Sequence, residues 1–182
     1  MRTTQKIKSI LFFALIFAVK FQAISQTTVG YSFEKYKVGK VFEGKKAVVD
    51  YKSGKTARSY KTQIKEQYKR AKVDFAGHYN LITWGAGTDL TLGAMVDLET
   101  GKVYDLPLSE ENSVRGCTSL NEEDRDNILY KKNSTLFITF VCSDKVNETT
   151  KTTTYVKVYS VFNWDETKKK FVLLKKKTVE TK

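Results

Sequence analysis

DFAGHYNLITWGAGTDLTLGAMVDLETGKVY spans residues 74–104, and its apolar runs broken by glycine turns specify β structure. In 78–84, Tyr79, Leu81 and Thr83 fall on one side of a strand, with His78, Asn80, Ile82 and Trp84 on the other. Residues 85–89, Gly-Ala-Gly-Thr-Asp, form a glycine-rich turn. Residues 92–98 make a short strand, and Glu99-Thr100-Gly101-Lys102 turns it into 103–106.

Downstream, residues 108–126 form a long polar loop holding Arg115 and Cys117. Residues 128–130 and 136–142 form a second hairpin about a turn at 132–134. A long alternating strand, 152–164, turns at 165–168 into 171–176. Upstream, 41–51 reads as a strand that Ser53-Gly54 breaks. Residues 57–72 contain no Gly or Pro and place Tyr60, Ile64, Tyr68 and Ala71 on one helical face, opposite Lys61, Lys65, Lys69 and Lys72. The expected fold is α+β and mostly β: an antiparallel meander sheet of seven or eight strands with one N-terminal amphipathic helix. Strand 78–84 is expected at its centre.

The N-terminus has the form of a secretory leader. Arg2, Lys6 and Lys8 precede an apolar run at 10–19, and Ala23-Ile24-Ser25 offers small residues for cleavage before Gln26. The run is half of the ~20 residues a membrane span needs. The expected organisation is a signal peptide at 1–25, a flexible lead-in at 26–40 and a single β-rich domain at 41–182. The product is then periplasmic or extracellular, with no transmembrane segment in the mature chain.

Without the leader, the chain carries a net charge of +8, unevenly spread. Residues 35–72 hold 13 Lys and Arg against Glu43, Asp50 and Glu66; residues 73–166 carry a net −7; the rest carries +6. Either the basic ends fold against the acidic middle, or a basic face awaits an anionic ligand or envelope protein. Export excludes nucleic acid as the expected partner. Cys117 and Cys142 are the chain's two cysteines. In an oxidising compartment they form a disulfide; the other reading is two buried thiols.

His78 is the chain's one histidine, so no multi-histidine metal site exists. It reads as a hydrogen-bonded structural residue, or as a general base beside Asp89 or Asp97, or with Ser119 or Thr88 as nucleophile. Asp89, Asp97, Glu99 and Asp105 match no calcium loop and read as solvated carboxylates. The Gly85–Gly87 turn lacks the Lys-Ser/Thr of a phosphate-binding loop. No cofactor and no catalytic set is expected. Any ligand site is placed at the 85–89 end of strand 78–84, lined by Trp84 and Asp89, with Arg115 a further candidate. His78 would then lie about 20 Å away along the strand.

The phrase at 74–104 also resembles one shared by a family of small exported bacterial proteins that carry no assigned activity, of the form FAGHY…WGxG…GAxVDxxTGxVY. The likeness extends weakly to the preceding helix and to ILYKKNSTLFI from Ile128. Two cysteines of the family's glycine turn are replaced here by Ala86 and Leu90. The resemblance therefore implies no thiol or metal centre in this turn. Two function classes stay open: a non-catalytic extracytoplasmic binding or inhibitory module, and a small hydrolase-like enzyme using His78 with an acidic partner.

Overall fold

The structure is a computed structural model that describes residues 29–87, 90–108 and 127–181. Its strands form two antiparallel sheets rather than one meander. The first joins β1 (Tyr79–Gly85), β2 (Thr91–Asp97) and β3 (Val103–Asp105) in that order. The second joins β4 (Ile128–Tyr130), β5 (Leu136–Asn147), β6 (Thr152–Asp165) and β7 (Lys170–Thr181). The reason lies in alternation. In β1–β3 the residues of both faces are apolar, so the sheet needs a cover on each side. Ile82, Ala94, Val96 and Val103 face one cluster; Tyr79, Leu81, Met95 and Tyr104 face another. A single sheet extended sideways would leave one of those faces in water.

The helical side covers the first face. α1 (Lys55–Ser59) and α2 (Lys61–Tyr68) replace the single helix expected at 57–72. The break falls at Tyr60, whose φ of −116° and ψ of 30° leave the helical region and let its ring lie 4.7 Å from that of Trp84. The expected faces hold: Ile64 and Tyr68 are buried while Lys61, Lys65 and Lys69 are exposed. α2 stops at Tyr68, where Lys46 Nζ donates to the carbonyls of Tyr68 and Lys69 at 2.7 and 3.0 Å.

The second sheet covers the other face. Phe137, Phe162, Trp164 and Phe171 meet Tyr79, Leu81 and Met95 between the sheets. The far side of this sheet, through Leu136, Ile138, Phe140, Tyr159 and Val161, packs on Val29 and Phe33. The segment expected as a flexible lead-in therefore contributes core from Val29 on, including a 3-10 turn at Phe33–Tyr36. β1 lies at one end of its sheet, so the central position expected for it goes to β2. Residues 41–50 form no strand; they run extended, with Ala47 N donating to Leu98 O at 2.8 Å and Asp50 N to Gly101 O at 2.8 Å.

β5 and β7 run longer than expected, whereas β6 keeps its expected span, and the outer ends of β5 and β6, 143–154, carry mostly exposed residues. β7 follows β6 outward and is interrupted by a bulge opposite Val161 and Phe162. Among the described residues no helix is long and apolar enough to cross a membrane. The proposed leader at 1–25 lies outside them.

Candidate functional site

Phe75-Ala76-Gly77-His78-Tyr79 is a tight turn. Tyr79 N donates to Phe75 O at 3.0 Å and Phe75 N to Tyr79 O at 3.2 Å, closing a three-residue loop. Its tip needs left-handed backbone at Ala76 (φ 42°) and Gly77 (φ 82°). At Gly77 a Cβ would come within 2.5 Å of the Lys40 carbonyl oxygen, so only glycine fits. The turn is clamped from outside by Gly77 N donating to Lys132 O at 2.8 Å and Phe42 N to Gly77 O at 2.7 Å. This frame fixes His78 at the mouth of β1, opposite the end of β2.

β1 pairs with β2 so that Tyr79 opposes Asp97. Asp97 closes the 98–102 turn, accepting from Glu99 N at 2.9 Å and from Thr100 Oγ1 at 2.8 Å. Its Oδ1 lies 3.0 Å from His78 Nδ1. The side chain of Asp97 is 2% exposed and that of His78 is 18% exposed. Asp97 is therefore no solvated loop carboxylate: the turn it caps and the imidazole enclose it.

On its other side His78 meets the β6–β7 turn, with Nε2 3.5 Å from Glu166 Oε1. Glu166 gathers donors. Trp164 Nε1 donates to it at 2.7 Å, the Tyr79 hydroxyl at 2.9 Å and Lys169 Nζ as well. Lys169 Nζ also donates to the Tyr79 oxygen at 3.0 Å and stands over the rings of Tyr79 and Tyr104. The cluster thus joins the first sheet to the second.

The charge states follow. Burial alone would push the imidazole of His78 down, but the hydrogen bond and charge of Asp97, with Glu166 and Glu99 nearby, hold it above its ordinary value. Burial also works against the Asp97 carboxylate, yet the hydrogen bonds from His78, Thr100 and Glu99 outweigh it and bring Asp97 to about 2. Glu166 likewise stays below the usual range despite its burial, held there by Lys169, Trp164 and Tyr79. Burial and the Glu166 carboxylate push the Tyr79 phenol far up, so it serves as a donor and not as a nucleophile.

Beside the cluster a cleft of about 370 Å³ opens between β3 and the start of β7. Tyr104, Pro107 and Phe171 line it, with Lys169, Lys170 and Asp105 among its charged residues. Among the described residues no group of three or more His, Cys, Asp or Glu side chains is placed to hold a metal ion.

Of the sites expected from sequence, His78 and Asp97 come together. Trp84 packs half-buried against Tyr60 and the helical core. Its indole nitrogen is buried without a hydrogen-bond partner among the described residues. Asp89, Thr88, Arg115, Cys117 and Ser119 lie outside the described residues. Cys142 is half-buried on β5 beside the third core cluster, and its proposed disulfide partner is thus not described. Glu166, Lys169 and Tyr104 were not read from the sequence as site residues. Nothing local marks them, because the turn 165–170 reads as polar surface until the second sheet brings it over His78.

A second region of note is the helical face. Every Lys and Arg from Lys52 to Lys72 is exposed, eight in all, against the one acid Glu66, which pairs with Lys69. Comparison with protein-family models, curated proteins and solved structures gives no match for this chain.

Proposed function

We propose that this chain is a non-catalytic exported module that binds an anionic envelope partner through the face of α1, α2 and the adjoining 45–52 segment. The observation that carries this reading is the exposed basic face itself. Eight cations stand on 21 residues with one acid, Glu66, which pairs with Lys69. Such a face concentrates polyanions at its surface and holds them in a salt-dependent way. Lys46 is tied to the end of α2, so Lys61 and Lys65 at its centre are the leading contacts.

The test is retention of the mature chain on a sulfated polysaccharide resin. Lys61→Glu with Lys65→Glu should elute at markedly lower salt. Lys175→Glu with Lys176→Glu on β7 should change retention less. Equal loss in both pairs would reduce the effect to overall charge and overturn the assignment of the face.

The enzyme reading ranks second, favoured by the 3.0 Å His78–Asp97 pair. A general base oriented through Nδ1 works through a free Nε2. Here Nε2 faces Glu166, and the hydroxyl beside it, that of Tyr79, is held protonated. Hydrolysis would require the β6–β7 turn to withdraw.

A further inference from the structure

The cleft between β3 and β7 is built differently from the helical face, and Lys169 is one of its lining residues. Its backbone is left-handed, with φ of 49°, in the turn between β6 and β7. A side chain other than glycine is unfavourable there, by roughly 1 kcal/mol. That conformation folds the lysine back over the two tyrosine rings instead of out into water. The side chain remains 38% exposed, on the rim of the cleft.

Glu166 does not depend on Lys169 alone. Trp164 Nε1 and the Tyr79 hydroxyl each donate to it, and His78 Nε2 stands 3.5 Å away. Lys169 is a further partner, so its cation can be shared with a second anion without leaving Glu166 bare. The wall behind it is rigid and aromatic. The Tyr104 ring lies 5.4 Å from that of Trp164, and the Phe171 ring 5.0 Å from the same indole. A volume of about 370 Å³ falls in the range of small-molecule sites.

We propose that this cleft is a binding site for a small organic anion with a flat apolar body, the ring system lying against Tyr104 and Phe171 and the anionic group meeting Lys169, with Lys170 next to it. Asp105 on the opposite strand works against a second negative charge, so a monoanion is the fitting class. The site meets the basic stretch only at Ser53 and Gly54 and uses none of its cations, so each reading can fail without the other.

The probe is anilinonaphthalene sulfonate, compared with the neutral phenylnaphthylamine, titrated by fluorescence into the folded mature chain. The expected result is saturable binding of one sulfonate per chain, tighter than the neutral compound. Lys169→Gly removes the cation and suits the left-handed backbone, so the fold survives. It should weaken the sulfonate about tenfold and leave the neutral probe unchanged. Lys175→Ser, outside the cleft, should alter neither. Three results would overturn the proposal: no saturable binding to the folded wild type, unchanged sulfonate affinity in Lys169→Gly, or an equal loss in Lys175→Ser.

Discussion

Nδ1 of His78 stands 3.0 Å from Oδ1 of Asp97, and this contact locks the first residue before β1 to the last residue of β2. The same imidazole faces Glu166 across the gap between the sheets. Stability should therefore depend on its proton. An imidazole held above 6.5 in the folded state stabilises that state fully below about pH 6.5, and the stabilisation is lost as pH rises through the folded value.

Two neighbouring carboxylates titrate in other windows. Asp97, lowered from 3.8 to about 2, stabilises above 3.8 and loses that contribution as pH falls toward 2. Asp74, which burial raises from 3.8 to about 6 despite its bonds from Leu81 N and Asn80, contributes most below 3.8 and least above about 6. Most of the Asp74 contribution is already lost by about pH 6, so the further loss above pH 6.5 is assigned to His78. The melting temperature of the wild type should fall as the pH is raised above about 6.5, and that of His78→Gln should fall less over the same range. An unchanged slope in the variant would show that His78 does not clasp the sheets.

Ile64 is fully buried against the first sheet, whereas its neighbour Lys65 is exposed. Ile64→Asp puts a carboxylate with no partner into an apolar cluster and should cost at least about 3 kcal/mol. Lys65→Asp should change stability by less than about 1 kcal/mol. Urea midpoints of the two variants check the pair, and equal tolerance would mean that α2 is not docked as described.

Gly101 has φ of 78°, and a Cβ there would lie 1.9 Å from the Val48 carbonyl oxygen. That approach carries the hydrogen bond from Asp50 N to Gly101 O, which ties the 41–50 segment to the sheet. Gly101→Ala should destabilise by at least about 2 kcal/mol. Gly85→Ala, with open space around it, should be near neutral. Thermal denaturation of both separates a close-packed glycine from one that a turn merely tolerates.

Export makes a simpler prediction. The protein recovered from outside the cytoplasm should begin at Gln26, free or cyclised to pyroglutamate, as read by intact mass. Recovery of the chain with Met1 intact from the cytoplasm would remove the basis for an envelope partner.

The sequence by itself determined the local elements and their faces. Alternation placed Ile82 and Trp84 opposite Tyr79 and Leu81, and helical spacing put Ile64 and Tyr68 inside with Lys61 and Lys65 outside. Those are short-range consequences of periods of 2 and 3.6 residues. The division into two sheets depended on the third dimension. Alternation states that both faces of a strand are apolar but not which layer covers each, and hydrogen-bonded neighbours read the same as stacked ones. The 41–51 segment failed as a strand for a related reason: its amides bond singly to the carbonyls of Gly77, Leu98 and Gly101 and make no ladder. His78 was visible as the chain's one imidazole, and Asp97 as one of two candidate partners. Glu166 and Lys169 were not, since nearly 90 residues separate them from His78 and Tyr79. Only the packing of the second sheet on the first brings that turn over the imidazole, because the apolar faces between them exclude water and leave its polar side chains to pair with one another.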